Sequence, residues 1–176
     1  MANNNNYFSF IVPETIKDQL VLLQQHLTIH DSGFKPYRRD NLHMTIGFFG
    51  DTLRKNNKKD TLELSRKMLK ILDINKLIRL SNPHLVTFPP GKENLYVVRF
   101  TANAHAISLV EHIQRTFDIS DTNGWIPHIT LGKMRNTDNI LKIDLASNLI
   151  MIPEGVKMCG KPINGDYGQL NWPLIR

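Results

Sequence analysis

His43-Met44-Thr45-Ile46-Gly47 returns, 85 positions later, as His128-Ile129-Thr130-Leu131-Gly132. Each copy is an apolar, β-prone run in which alternation puts the His and the Thr on one face and the apolar residues on the other. One His-x-Thr in a chain with 7 histidines is weak evidence. Two copies that also share their apolar and Gly positions are not. The chain must therefore build two similar strands, each presenting the same polar pair, and the spacing points to two similar halves made of a few strands and a helix.

A chain of 176 residues with 41% hydrophobic residues can bury one sizeable core, so residues 1–176 are read as one domain. Cys159 is the single cysteine, which excludes an internal disulfide framework and a thiolate metal cluster. The start, Met1-Ala2 followed by Asn3 to Asn6, does not resemble a signal peptide, and no apolar run approaches the roughly 18 residues of a membrane span. A cytoplasmic protein without a membrane partner is expected. The net charge of +6 favours an anionic partner. Part of it lies in Arg54-Lys55-Asn56-Asn57-Lys58-Lys59, a run that reads as a solvated loop, with contact to an RNA backbone as the alternative. Arg38 and Arg39, just upstream of the first motif, are better placed to meet a phosphate chain. Aromatic residues make up 8% and form no stripe, which fits a small site for a terminus or dinucleotide better than a platform for long single strands.

The hydrophobic period switches repeatedly between 2 and 3.6, the mark of a mixed α and β chain. Strands are expected at Tyr7 to Val12, Leu42 to Phe49, His84 to Phe88, Leu95 to Phe100 and Pro127 to Leu131, with a last one ending at Trp172-Pro173-Leu174. Pro13-Glu14-Thr15 opens a helix with the stripe Ile16, Leu20, Leu23 and Leu27. Asp60-Thr61-Leu62-Glu63 has the form of a capping box and opens a second, with Leu64, Met68 and Ile71 inward. A third is expected from Thr101 to Phe117, burying Ile107, Val110, Ile113 and Phe117.

Imidazole can accept or donate a proton near neutral pH, so two histidines facing each other across a phosphate can divide the work. A neutral His43 or His128 takes a proton from an attacking hydroxyl, and the other, protonated, gives one to the departing oxygen. Thr45 and Thr130, two residues along the same faces, are placed to hydrogen-bond the non-bridging oxygens. This chemistry requires no metal and no cofactor. His26 and His30 are four apart, but no Glu completes a His-Glu-x-x-His site. His84 has no evident partner. Phe49 shares the parity of His43 and Thr45, so it reads either as a base-stacking ring or as core.

The two His-x-Thr motifs resemble the signature of the 2H phosphoesterase superfamily. The likeness covers nearly the whole chain: Tyr7-Phe8-Ser9-Phe10-Ile11-Val12-Pro13 before a helix, Asn41 to Asp51, Phe88-Pro89-Pro90 before a strand, Pro127 to Leu131, and the closing Gly165-Asp166-Tyr167 with Trp172-Pro173-Leu174 follow the order of its RNA 2',3'-cyclic phosphodiesterase branch, once called 2'-5' RNA ligase. The resemblance implies an α+β, bilobal fold in which two pseudo-symmetric halves with antiparallel sheets form a central groove, one motif from each. It also implies metal-independent chemistry on 2'-linked phosphates, catalysed by His43 and His128 with Thr45 and Thr130 on the phosphate. Many members of that branch carry a basic residue two positions after the second Thr. Here Gly132 holds that place and Lys133 follows. Phe49, Arg38, Arg39, Lys133 and Tyr167 are the further candidates for substrate contact.

The reaction expected first is opening of a 2',3'-cyclic phosphate at an RNA end or on a nucleotide to leave a 2'-phosphate. Because the opening and closing motifs also resemble the branch of viral 2',5'-phosphodiesterases and the central domain of A-kinase anchoring proteins, cleavage of 2'-5' linked oligoadenylate and simple AMP binding stand as alternatives. Intact motifs argue against a pure binder, which has no need of two proton-transfer groups. The partner is thus RNA with a 2',3'-cyclic phosphate end or a 2'-5' linked oligonucleotide, and the chain is expected to act as a monomer.

Overall fold

Strand, helix and strand occur in succession twice, and these two runs hold the motifs. The computed structural model describes residues 7–49, 58–72, 77–88, 94–119, 124–134, 145, 149–159 and 171–174. In chain order the elements are β1 (Tyr7–Ile11), α1 (Glu14–His30), β2 (Lys35–Pro36), a 3-10 turn at Arg39–Asn41, β3 (Met44–Phe48), α2 (Lys58–Leu72), β4 (Leu80–Phe88), β5 (Leu95–Ala102), α3 (Ala104–Thr116), β6 (His128–Lys133), β7 (Gly155–Cys159) and β8 (Asn171–Pro173). The sheet runs β4-β5-β6-β3-β1-β7-β8, with β2 beside β6, and every pairing is antiparallel.

The two halves are therefore β3-β1-β7-β8 and β6-β5-β4. In the first, β1, α1 and β3 follow one another; in the second, β5, α3 and β6 repeat that order. The outer strand comes late in one half, as β7, and early in the other, as β4. Strands β3 and β6 meet at one ladder pair, Met44 opposite Ile129, and with the two pairs of β2 on β6 this joins what the motifs imply to be separate sheets into a single open one. Met44 and Ile129 are each the middle residue of a His-x-Thr.

The expected helix stripes form the core. Ile16, Leu20, Leu23 and Leu27 of α1 and Leu64, Met68 and Ile71 of α2 are all buried, in one cluster with Phe8, Phe10, Met44, Ile46, Ile129 and Leu131 from the strands. Each such side chain contributes about 1.5–3 kcal/mol through burial. The helices thus pack on one face of the sheet and leave the half-buried His and Thr side chains on the other. The third helix departs from its expected start: Asn103 caps it, its side chain accepting from the Ala106 N–H at 2.9 Å, and a cap side chain ends the strand before it. Its inward face is Ala106, Leu109, Val110 and Ile113, while Ile107 is 45% exposed. The basic run at 54–57, the side chains of 58–61 and the Gly165-Asp166-Tyr167 segment lie outside the described residues.

Candidate active site

With Met44 and Ile129 paired and both facing the core, their flanking residues face the other way. Continuing that register by one residue in each direction sets His43 beside Thr130 and Thr45 beside His128. The two motifs thus come together as four polar side chains on one patch of sheet. Neither threonine hydroxyl has a hydrogen-bond partner among the described residues.

Both imidazoles are held in the same manner. His43 Nδ1 lies 2.6 Å from the carbonyl of Asn41, and His128 Nδ1 lies 2.7 Å from the carbonyl of Ile126, in each case two residues upstream. A carbonyl can only accept, so Nδ1 carries the proton in both rings and Nε2 is left for chemistry. When the ring is neutral Nε2 is a base, and when it is charged Nε2–H is an acid. An aromatic ring backs each imidazole: Tyr7 on His43 at 5.0 Å and 27°, Phe88 on His128 at 4.8 Å and 28°. Burial is the main cause that pushes both histidines below their ordinary value, against the pull of the carbonyl bonds. Nearby positive charge adds to it, from Lys157 and His128 at His43 and from Arg99 at His128. That His43 feels the charge of His128 is the electrostatic sign of their closeness.

Lys157 and Arg99 were not singled out by motif. Lys157 pairs with Ser9, which pairs with Thr45, and Arg99 pairs with His128, so both cations share the face of the motif side chains. Their signal in the sequence is a lone cation inside an otherwise apolar strand, Val156-Lys157-Met158 and Val98-Arg99-Phe100. Tyr7 carries a further link, since burial and the neighbouring Cys159 thiol push its hydroxyl pKa up. Cys159 Sγ also lies 3.5 Å from Ser9 Oγ.

The remaining candidates divide. Phe49 is 7% exposed and packs on Phe8 at 4.7 Å, in the core. The cause is a bulge: Thr45 pairs with Ser9 but Gly47 with Phe8, so Ile46 is an extra residue and the parity reverses after it. Phe48, 57% exposed and 5.5 Å from Tyr7, takes the open face instead. The second motif has the same bulge at Leu131, because Thr130 pairs with Val97 and Gly132 with Tyr96. Gly132 then faces the core, where a Cβ would collide with the Lys35 carbonyl and the Phe34 ring. Lys133 is left in the position corresponding to Phe48, exposed and directly opposite Lys35. Arg38 is exposed. Arg39 bridges to Asp18 at 2.7 Å and to Glu14, so its charge is engaged with α1. Tyr167 lies outside the described residues. His26 and His30 sit ring to ring at 4.5 Å on the exposed end of α1, and His84 is exposed, its Nδ1 3.2 Å from the Asn82 carbonyl. Among the described residues no helix is long and apolar enough to cross a membrane.

Residues 11–90 match the family described as LigT-like phosphoesterase. A curated relative, the RNA 2',3'-cyclic phosphodiesterase of Methanocaldococcus jannaschii, is 26% identical over 143 residues, which span 78% of this chain and 75% of that protein. Among solved structures, TT0787 of Thermus thermophilus superposes with a TM-score of 0.70 at 17% identity, covering 97% of this chain and 95% of that one. Escherichia coli LigT complexed with 3'-AMP does so with a TM-score of 0.65 at 17% identity, covering 98% and 99%.

Proposed function

We propose that the chain is a LigT-like 2H phosphoesterase that hydrolyses the 2',3'-cyclic phosphate of RNA ends to a 2'-phosphate, with His43 and His128 as its acid and base, a reading supported by the family match over residues 11–90 and by the cyclic phosphodiesterase relative. The carrying observation is that both rings commit Nδ1 to a backbone carbonyl and keep Nε2 free. In the forward step one neutral Nε2 accepts a proton from water as its oxygen bonds to phosphorus. The bond from phosphorus to O3' breaks in line, and the other histidine gives its Nε2 proton to O3'. The product carries a 2'-phosphate and a free 3'-hydroxyl, and the two rings have exchanged protonation states. Both proton transfers are thus supplied by side chains. The hydroxyls of Thr45 and Thr130 donate to the non-bridging oxygens, and Lys157 and Arg99 add positive potential where negative charge accumulates.

The substrate class is supported by the relative's name and by two lysines beside the motif strand. Lys35 and Lys133 are cross-strand neighbours, an arrangement of like charges that is unfavourable without an anion between them. A second phosphate of an RNA chain supplies that anion, whereas a lone cyclic nucleotide does not. Incubation in excess EDTA with an oligoribonucleotide ending in a 2',3'-cyclic phosphate tests the reading. A 2'-phosphate end is the expected product. Untouched substrate together with cleavage of 2'-5' linked oligoadenylate would transfer the assignment to that linkage.

A further inference from the structure

An extra residue in a strand leaves its carbonyl without a ladder partner, and a buried carbonyl without a partner costs about 1–3 kcal/mol. The two motif bulges raise this problem at equivalent places, Ile46 and Leu131, both buried. A side-chain amide from a helix donates to the carbonyl in each case, and at Leu131 a backbone N–H donates as well. The Ile46 carbonyl accepts from the side-chain amide of Gln114 at 3.0 Å. The Leu131 carbonyl accepts from the side-chain amide of Gln24 at 2.7 Å and from the Tyr37 N–H at 2.8 Å.

The donors are crossed. Gln24 belongs to α1, in the half of the first motif, yet it holds β6; Gln114 belongs to α3, in the half of the second, yet it holds β3. Gln24 is 4% exposed within the apolar stripe of α1, a costly place for an amide unless both its protons are used. Both are: the second goes to the Tyr37 carbonyl at 2.9 Å. The glycine after the first bulge answers to a different neighbour, since a Cβ on Gly47 would lie 2.6 Å from Ile119 Cγ2.

We propose that Gln24 and Gln114 are positioning residues for the phosphodiester reaction, a crossed pair of amides that fixes each motif strand to the helix of the opposite half and so sets the separation of the two histidines. The inference rests on the reading of His43 and His128 as acid and base. Between β3 and β6 the sheet supplies one ladder pair, Met44 and Ile129, and the Trp125 indole adds a bond to the Thr45 carbonyl at 2.8 Å. A displacement of about 1 Å at a reacting group lowers rate by about a hundredfold. The crossed amides bind immediately after each Thr and add a constraint from the helix of the opposite half.

Gln24→Met and Gln114→Met keep the shape of the side chain and remove its donor. On a 2',3'-cyclic phosphate RNA, kcat is expected to fall about tenfold or more in each, with KM changed less than about twofold, and the double variant is expected to lose less than the product of the two. Ile71→Ala on α2, destabilised to a similar Tm, is expected to keep its kcat. Gln114→Glu gives a readout independent of packing. Its protonated carboxyl can donate to the Ile46 carbonyl and its carboxylate cannot, so its kcat relative to the parent enzyme should recover as pH is lowered. Met variants with lowered Tm and unchanged kcat, or a Gln114→Glu profile parallel to that of the parent, would overturn the proposal while leaving the two-histidine reading intact. A parent enzyme inactive on 2'-linked phosphates, or a His43→Ala variant of full activity, would remove both.

Discussion

At the scale of single residues, the proposed reaction rests on two side chains that the others support. His43→Ala and His128→Ala are each expected to lower kcat by about 10²–10⁴-fold with an unchanged circular dichroism spectrum. Turnover near the parent level in either would end the assignment. Thr45→Ala and Thr130→Ala remove one donor to the phosphate and are expected to cost about 1–4 kcal/mol of transition-state stabilisation, read from kcat/KM. The direction of the pH profile follows from burial. Both imidazoles are pushed below their ordinary value of 6.5, so the state with one shared proton, one ring a base and the other an acid, is most populated on the acid side of that value. kcat/KM should accordingly peak below pH 6.5 and fall toward alkaline pH. Lys157 opposes the charged form of His43; Lys157→Gln raises that pKa and should move the limb that His43 supplies to higher pH, and a limb that stays in place would separate Lys157 from the site.

At the scale of elements, what the sequence made legible is what depends on local period. The apolar stripes of α1 and α2 and the pairing of each His with its Thr follow from spacings of 3.6 and 2, and they survive tertiary packing because packing selects them. What it concealed depends on partners distant in the chain. A bulge is a property of two strands, and nothing within Thr45-Ile46-Gly47 announces that Ser9 and Phe8 will pair around Ile46. Strict alternation therefore assigns Phe49 to the face of His43, whereas the folded strand presents Phe48. Lys157 and Arg99 reach the site only through cross-strand register, and β2, two residues long, has no pattern of its own. The swap of the two phenylalanines is measurable. Phe49→Ala should destabilise the fold by about 3–5 kcal/mol in denaturant titration, whereas Phe48→Ala should leave stability nearly unchanged and raise KM. The opposite pattern would place the bulge elsewhere.

At the scale of the whole molecule, charge and topology set how a long ligand and the chain itself behave. If Lys35 and Lys133 hold a second phosphate, the double variant Lys35→Gln with Lys133→Gln should lower kcat/KM for an oligoribonucleotide, reduce its salt dependence by about one unit of log-log slope, and spare a mononucleotide 2',3'-cyclic phosphate. Equal losses on both substrates would assign the lysines to the reacting phosphate instead. The order of strands has a further effect. The second half, β4 to β6, is one continuous stretch, but the first is split: β1 borders β3 on one side and, on the other, β7, with Tyr7 opposite Cys159. During synthesis both pentapeptides leave the ribosome well before residues 155–159 do. Until then the outer edge of β1 is an unpaired template, open to any extended segment nearby. Correct closure of the strand that backs His43 with Tyr7 thus waits on one of the later strands to be made, and a nascent chain stalled just beyond its second motif holds both His-x-Thr pairs while still exposing an unpaired strand edge.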